Sequence, residues 1–127
     1  MTKNKSVAAL ALLAIVTSGS SSLAQTSANG ERLFRTRCAS CHSSQAGEVR
    51  SGPSLSGVVG RKAASAEGAD YSEALRKSGL VWNEPTLDSY LANPQHAVPG
   101  TTMTATVPDA RQRAAIIAYL GSLHAAN

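Results

Sequence analysis

The sequence predicts an all-α domain whose helices are separated by long loops. Three observations carry this reading. Apolar residues recur at helical spacing in runs that start at capping residues and stop at Gly or Pro. Strand signals are nearly absent, since Val58-Val59 is too short to count. Gly and Pro cluster in residues 43–66 and 94–107, which read as two long loops, and no internal repeat or low-complexity tract interrupts the pattern.

Residues 1–24 read as a cleaved secretory leader. Lys3 and Lys5 form its positive start, Val7 to Val16 its apolar run, and Ser22-Leu23-Ala24 its small-residue end, with cleavage expected between Ala24 and Gln25. The apolar run is well short of the ~20 residues a membrane span needs, and nothing later in the chain supplies one. Residues 25–127 then form a single small domain. Lys3 and Lys5 leave with the leader and no acidic group does, so the formal charge falls from +4 to +2. No basic run exceeds Arg61-Lys62 or Arg76-Lys77, so nucleic acid is not an expected partner.

Ser27 to about Ala39 reads as the first helix, with Gly30, Leu33, Phe34 and Arg37 along one side. In the loop from Ser43 to Ala66, Gly47, Gly52-Pro53, Gly57 and Gly60 are the breakers. Tyr71 to Ser78 reads as a short helix stopped by Gly79. Asn83 caps a helix from Glu84 to about Leu91, which Asn93-Pro94 ends. Pro99, Gly100 and Pro108 break the second loop. Asp109 starts the last helix, with Gln112 placed for a capping box, and Ile116, Tyr119, Leu120 and Leu123 form its apolar stripe. The five aromatics (Phe34, Tyr71, Trp82, Tyr90, Tyr119) make a thin core for such a domain, which a buried apolar cofactor would supplement.

Between the first helix and the first loop stands Cys38-Ala39-Ser40-Cys41-His42. Two thiols at this spacing can each add to one vinyl group of a haem, and the adjacent histidine is then held where a ring nitrogen can ligate the iron. A thioredoxin-like pair would want a βαβ context, whereas a helical run precedes Cys38. A structural zinc site would need further ligands, and only His96 and His124 remain. A short disulfide in an exported chain stays a competitor, as does a chance occurrence of the motif. Export supports haem attachment, because in bacteria that attachment takes place outside the cytoplasmic membrane.

With Met1 removed, Met103 is the only methionine, in the loop Pro99-Gly100-Thr101-Thr102-Met103. Polar neighbours on both sides argue against simple core filling and for a soft thioether ligand to the iron. His96 is the rival ligand, and His124 is expected to be exposed. A His/Met iron has no open position, which favours electron transfer over substrate chemistry. A peroxidase-type enzyme would need an open position and a distal His/Arg pair, so no enzyme is expected.

Taken together, these blocks resemble class I cytochrome c, in the mitochondrial-like branch that includes bacterial cytochrome c2. The resemblance covers about Gly30 to Leu120. Gly30 and Phe34 match the helix contact made with Ile116 and Tyr119. Gly52-Pro53-Ser54-Leu55 is similar to the family's Gly-Pro-x-Leu turn, and Gly60-Arg61-Lys62 to its Gly-Arg-Lys. Tyr71, Trp82 and Tyr90 keep the family's aromatic spacing, and Pro99 to Met103 is like its methionine loop.

The resemblance implies a fold of helices and long loops wrapped around one covalently attached haem c. Cys38 and Cys41 would be the attachment points, and His42 and Met103 the axial iron ligands. The Pro53 carbonyl would accept the His42 ring N–H. Arg61, Tyr71 and Trp82 would face a buried propionate, whose burial needs such partners. Tyr90 and Thr101 would lie near Met103, and Asn93 would brace that loop.

Departures from the family pattern sharpen the expectations. Leu75 stands where many relatives have Asn in a buried polar network, which implies a drier pocket. Ala105 replaces a Phe that covers the haem edge, and Thr102 a Lys before the methionine. Only Lys62 and Lys77 remain of the steering lysines, with Arg35, Arg37, Arg50, Arg76, Arg111 and Arg113 as partial substitutes. The implied role is that of a soluble periplasmic carrier, a monomer or part of a hetero-complex. Its partners would be a redox donor and an acceptor, such as a periplasmic dehydrogenase or a membrane oxidase. A dedicated electron-accepting subunit of such a dehydrogenase is the alternative.

Overall fold

The computed structural model describes residues 20–124. Among these residues five helices follow one another: α1 (Ser20–Arg37), α2 (Glu73–Lys77), α3 (Glu84–Ala92), α4 (Pro94–Ala97) and α5 (Ala110–Ser122). Among the described residues there is no strand, only an isolated antiparallel bridge between Lys62 and Val81. Of the predicted leader, residues 1–19 lie outside the described residues, while 20–24 form the start of α1, with Leu23 exposed.

The first and last helices cross in the most extensive helix contact of the fold. Gly30 makes the close approach possible. A Cβ there would overlap the Ala115 carbonyl oxygen and lie 2.8 Å from Tyr119 Cβ. Phe34 and Tyr119 pack beside this crossing, with ring centroids 5.5 Å apart and planes tilted by 54°. Leu33, Phe34, Ala115, Ile116 and Leu120 are buried there, Ile116 almost completely. Removing an Ile side chain from water contributes about 1.5–3 kcal/mol, so this crossing is a principal anchor of the fold. The spacing of Gly30 and Phe34 on one helix and Ile116 and Tyr119 on the other meets across it as expected.

Capping explains where the shorter helices begin. Ser72 accepts from Leu75 N, so α2 starts at Glu73 rather than at Tyr71. Asn83 and Thr86 form a reciprocal capping box that starts α3. The stretch after Asn93 is not wholly loop. Asn93 accepts from His96 N, and Pro94 takes a first-turn position that needs no N–H donor, so one turn of helix, α4, forms. Asp109 accepts from the backbone N–H groups of Arg111 and Gln112, which begins α5. The expected capping box is only half made, because Gln112 Oε1 is buried without a partner.

Candidate functional site

The end of α1 sets the pentapeptide. After Arg37 the chain tightens: Cys38 N and Ala39 N both donate to Phe34 O, and Cys41 N and His42 N both donate to Cys38 O. The two cysteines and His42 thus ride on one compact turn. Both thiols are free, Cys38 half-buried and Cys41 exposed. Burial pushes the Cys38 thiol up, against the neighbouring Arg37. Hydrogen bonds from Ser51 and Ser40 bring the Cys41 thiol down. No three His, Cys, Asp or Glu side chains converge among the described residues, which leaves the zinc alternative without a site there.

His42 Nδ1 lies 2.9 Å from the Pro53 carbonyl oxygen. A carbonyl only accepts, so Nδ1 carries the proton and Nε2 keeps its lone pair for a metal. Gly52 lets the loop press on the ring, since a Cβ there would lie 2.5 Å from His42 Cε1 and 2.8 Å from Nδ1.

Arg61 and Trp82 are brought together by backbone bonds, Trp82 N to Arg61 O at 2.9 Å and Gly60 N to Trp82 O at 2.6 Å. The Arg61 guanidinium donates to the Ser56 and Ser54 carbonyls at 3.1 and 2.9 Å. Its Nε is buried without a partner. Burial lowers the Arg61 pKa, partly countered by Tyr71. Tyr71 receives the Ala66 N–H on its hydroxyl at 3.1 Å. A half-buried cation with an unused N–H is a site for an anionic oxygen.

The methionine side is held by side chains of α3 and α4. Tyr90 and Thr101 share a buried hydroxyl hydrogen bond of 2.6 Å, and Trp82 packs on Tyr90 with ring centroids 4.9 Å apart and planes tilted by 57°. Burial raises the Tyr90 pKa against that bond. Gln95 straps the loop, its Nε2 donating to Thr101 O at 2.6 Å and toward Met103 O at 3.4 Å. Asn93, expected as the brace, spends its side chain on capping α4 and thereby sets Gln95 in place. Gln95 was not foreseen, because its partners are visible only once α4 exists. Met103 is half-buried against the core, and His96 is exposed. Leu75 lies in the core, while Thr102 and Ala105 are exposed on a rim, residues 98–108, that has no ionisable side chain.

These features fit a haem. Two free thiols and a histidine of fixed tautomer stand on one turn, and Arg61 Nε remains to satisfy a buried carboxylate.

The comparisons agree. A family profile described as Cytochrome c matches residues 27–124. Cytochrome c2 of Rhodopila globiformis is 48% identical over 95 residues, covering 74% of this chain and 90% of that protein. Cytochrome c2 iso-2 of Magnetospirillum fulvum is 49% identical over 87 residues, 68% of this chain and 91% of its own. The solved structure of cytochrome cH from Methylobacterium extorquens superposes with a TM-score of 0.70 at 42% identity, over 76% of this chain and 97% of that one.

Proposed function

This chain belongs to the cytochrome c family as a monohaem class I member that transfers electrons, and from that premise we propose that its iron is held between His42 and Met103 and serves an exported carrier. The observation that carries the ligand reading is the Pro53 carbonyl on His42 Nδ1, which leaves Nε2 as the free donor. Cys38 and Cys41 fix the haem covalently, and when bound it supplies a one-electron iron centre.

The chain's own residues keep that centre closed. Pro53 orients the His42 ring and raises its basicity. Gln95, Tyr90 and Thr101 hold the loop that presents Met103. Arg61 offers its unpaired N–H to a propionate, with Tyr71 and Trp82 beside it. His42 and Met103 would both hold the iron, and a centre held from two sides would move electrons without binding substrate. Such a carrier would meet a donor and an acceptor by brief, small contacts, in the periplasm once residues 1–24 are removed, while the uncharged, exposed Thr102 and Ala105 favour a more lasting partner such as a dehydrogenase.

The test is optical. Oxidised protein is expected to show the weak near-infrared sulfur-to-iron band, and Met103→Ala to abolish it. Absence of the band in the unsubstituted protein at neutral pH refutes the His/Met assignment. The mass of the exported protein reads cleavage after Ala24 independently.

A further inference from the structure

The loop that carries Pro53 is fastened to the pentapeptide rung by rung. Pro53 O accepts from His42, and Gly52 N donates to Cys41 O at 2.8 Å. The outermost rung is a side chain: Arg50 Nη1 donates to the Ala39 carbonyl, between the two cysteines, at 2.5 Å. The same guanidinium grips Glu48 Oε1 through Nε and Nη2 at 3.0 and 2.9 Å. Glu48 Oε2 in turn accepts from Ser43 Oγ at 2.7 Å, and Ser43, next to His42, is 3% exposed. Arg50 N also donates to Gly52 O at 3.0 Å, which ties the guanidinium's backbone to the turn pressing on the ring.

We propose that Glu48 and Arg50 are positioning residues for His42: they form a strap that clamps the 50–53 turn onto the haem-attachment turn and so sets the Pro53–His42 hydrogen bond. The inference rests on His42 being an iron ligand. Three features distinguish the strap from ordinary surface charge. It bridges two chain segments, it ends on a backbone carbonyl inside the Cys-x-x-Cys spacing, and its other end is a buried serine. Ser43 and Arg50 hold the Glu48 carboxyl below its ordinary range, so the strap is charged at neutral pH. Both ionic side chains are 43% exposed, so their attraction adds little to global stability. Their effect is expected in ligand geometry.

Charge and position make opposite predictions for one of two charge-removing variants. If the pair acts only through space, removing the Arg50 cation lowers the reduction potential and removing the Glu48 anion raises it. If it acts by position, both changes slacken the Pro53 contact, weaken electron donation by the ring and raise the potential.

The experiment measures potentials of haem-loaded wild type, Glu48→Gln and Arg50→Gln, with the His42 Nδ1–H resonance of each reduced protein. Positioning predicts that both variants rise in potential and that both Nδ1–H signals move upfield, with Arg50→Lys behaving like Arg50→Gln, because one ammonium cannot span Glu48 and Ala39. Shifts of opposite sign, or an unmoved Nδ1–H signal in either variant, overturn the proposal. So do potentials equal to wild type with only a lowered melting temperature. The ligand reading fails separately: a His42 ring without an iron-induced shift in the oxidised wild type removes it, whatever the variants do.

Discussion

Replacing Gly30 by alanine adds one methyl group where two helices leave no room for it. In an open helix the change is favourable by about 1 kcal/mol, because alanine loses less backbone freedom than glycine on folding. At Gly30 the new Cβ would overlap the Ala115 carbonyl oxygen and press on Tyr119 Cβ at 2.8 Å. Neither neighbour is a flexible side-chain end, so α1 and α5 must move apart. Overpacking of this kind costs typically 1–3 kcal/mol, and the separation also disturbs the burial of Phe34 and Ile116. With a Cβ placed on a backbone oxygen the cost lies in the upper part of that range, so the net loss expected for Gly30→Ala is about 1–2 kcal/mol, roughly 4–16 °C in melting temperature for a domain of this size. Gly121, in α5, supplies the control, because nothing lies within 4 Å of a Cβ built there. Gly121→Ala is expected to leave stability unchanged or to raise it by less than about 1 kcal/mol, being close to the helix end. Urea unfolding of both haem-loaded variants, followed by far-UV circular dichroism, reads the two signs directly. A Gly30→Ala protein as stable as wild type would refute the close-approach argument.

Two further outcomes follow from the hydrogen bonds. Tyr90→Phe leaves the buried Thr101 hydroxyl unpaired and is expected to cost about 1–2 kcal/mol in urea unfolding, whereas adding Thr101→Val recovers part of that loss, so that the double variant falls short of the sum. Hydrogen bonds from the Gln112 and Arg111 N–H groups hold the Asp109 carboxyl below its ordinary range. A depressed folded pKa means that its stabilisation is complete above the unfolded value of about 3.9 and is lost as pH falls through the folded one. Asp109→Asn, which keeps an accepting oxygen, should therefore be less stable than wild type at pH 7 and converge on it in acid, as urea midpoints at the two pH values would show.

How far the sequence spoke depended on how local each signal was. The pentapeptide, the Asn83 and Asp109 caps and the Gly30/Phe34 spacing are short-range patterns, and each sits where it was expected. Pro53, Arg61 and Tyr90 could be placed only through the family resemblance, since their partners are remote in sequence. α4 was hidden because one helical turn among Pro and Gly has no periodicity to read. Gln95 and the Glu48–Arg50 strap were hidden for a related reason: long polar side chains find partners that only the folded backbone brings near. The half-made box at Asp109 shows the converse, a local motif whose return bond the tertiary setting does not complete.

The crossing of α1 with α5 joins the first and last helices of the described residues, and this orders events in time. A chain made from its N-terminus carries Cys38 and Cys41 long before Ala115 and Ile116 exist to cover Leu33 and Phe34. Contacts between distant segments form late because the intervening loop must first be closed. Until α5 docks, the turn that carries both thiols stands at the end of a helix whose Leu33 and Phe34 are still uncovered, so the last helix acts as the latch of the fold.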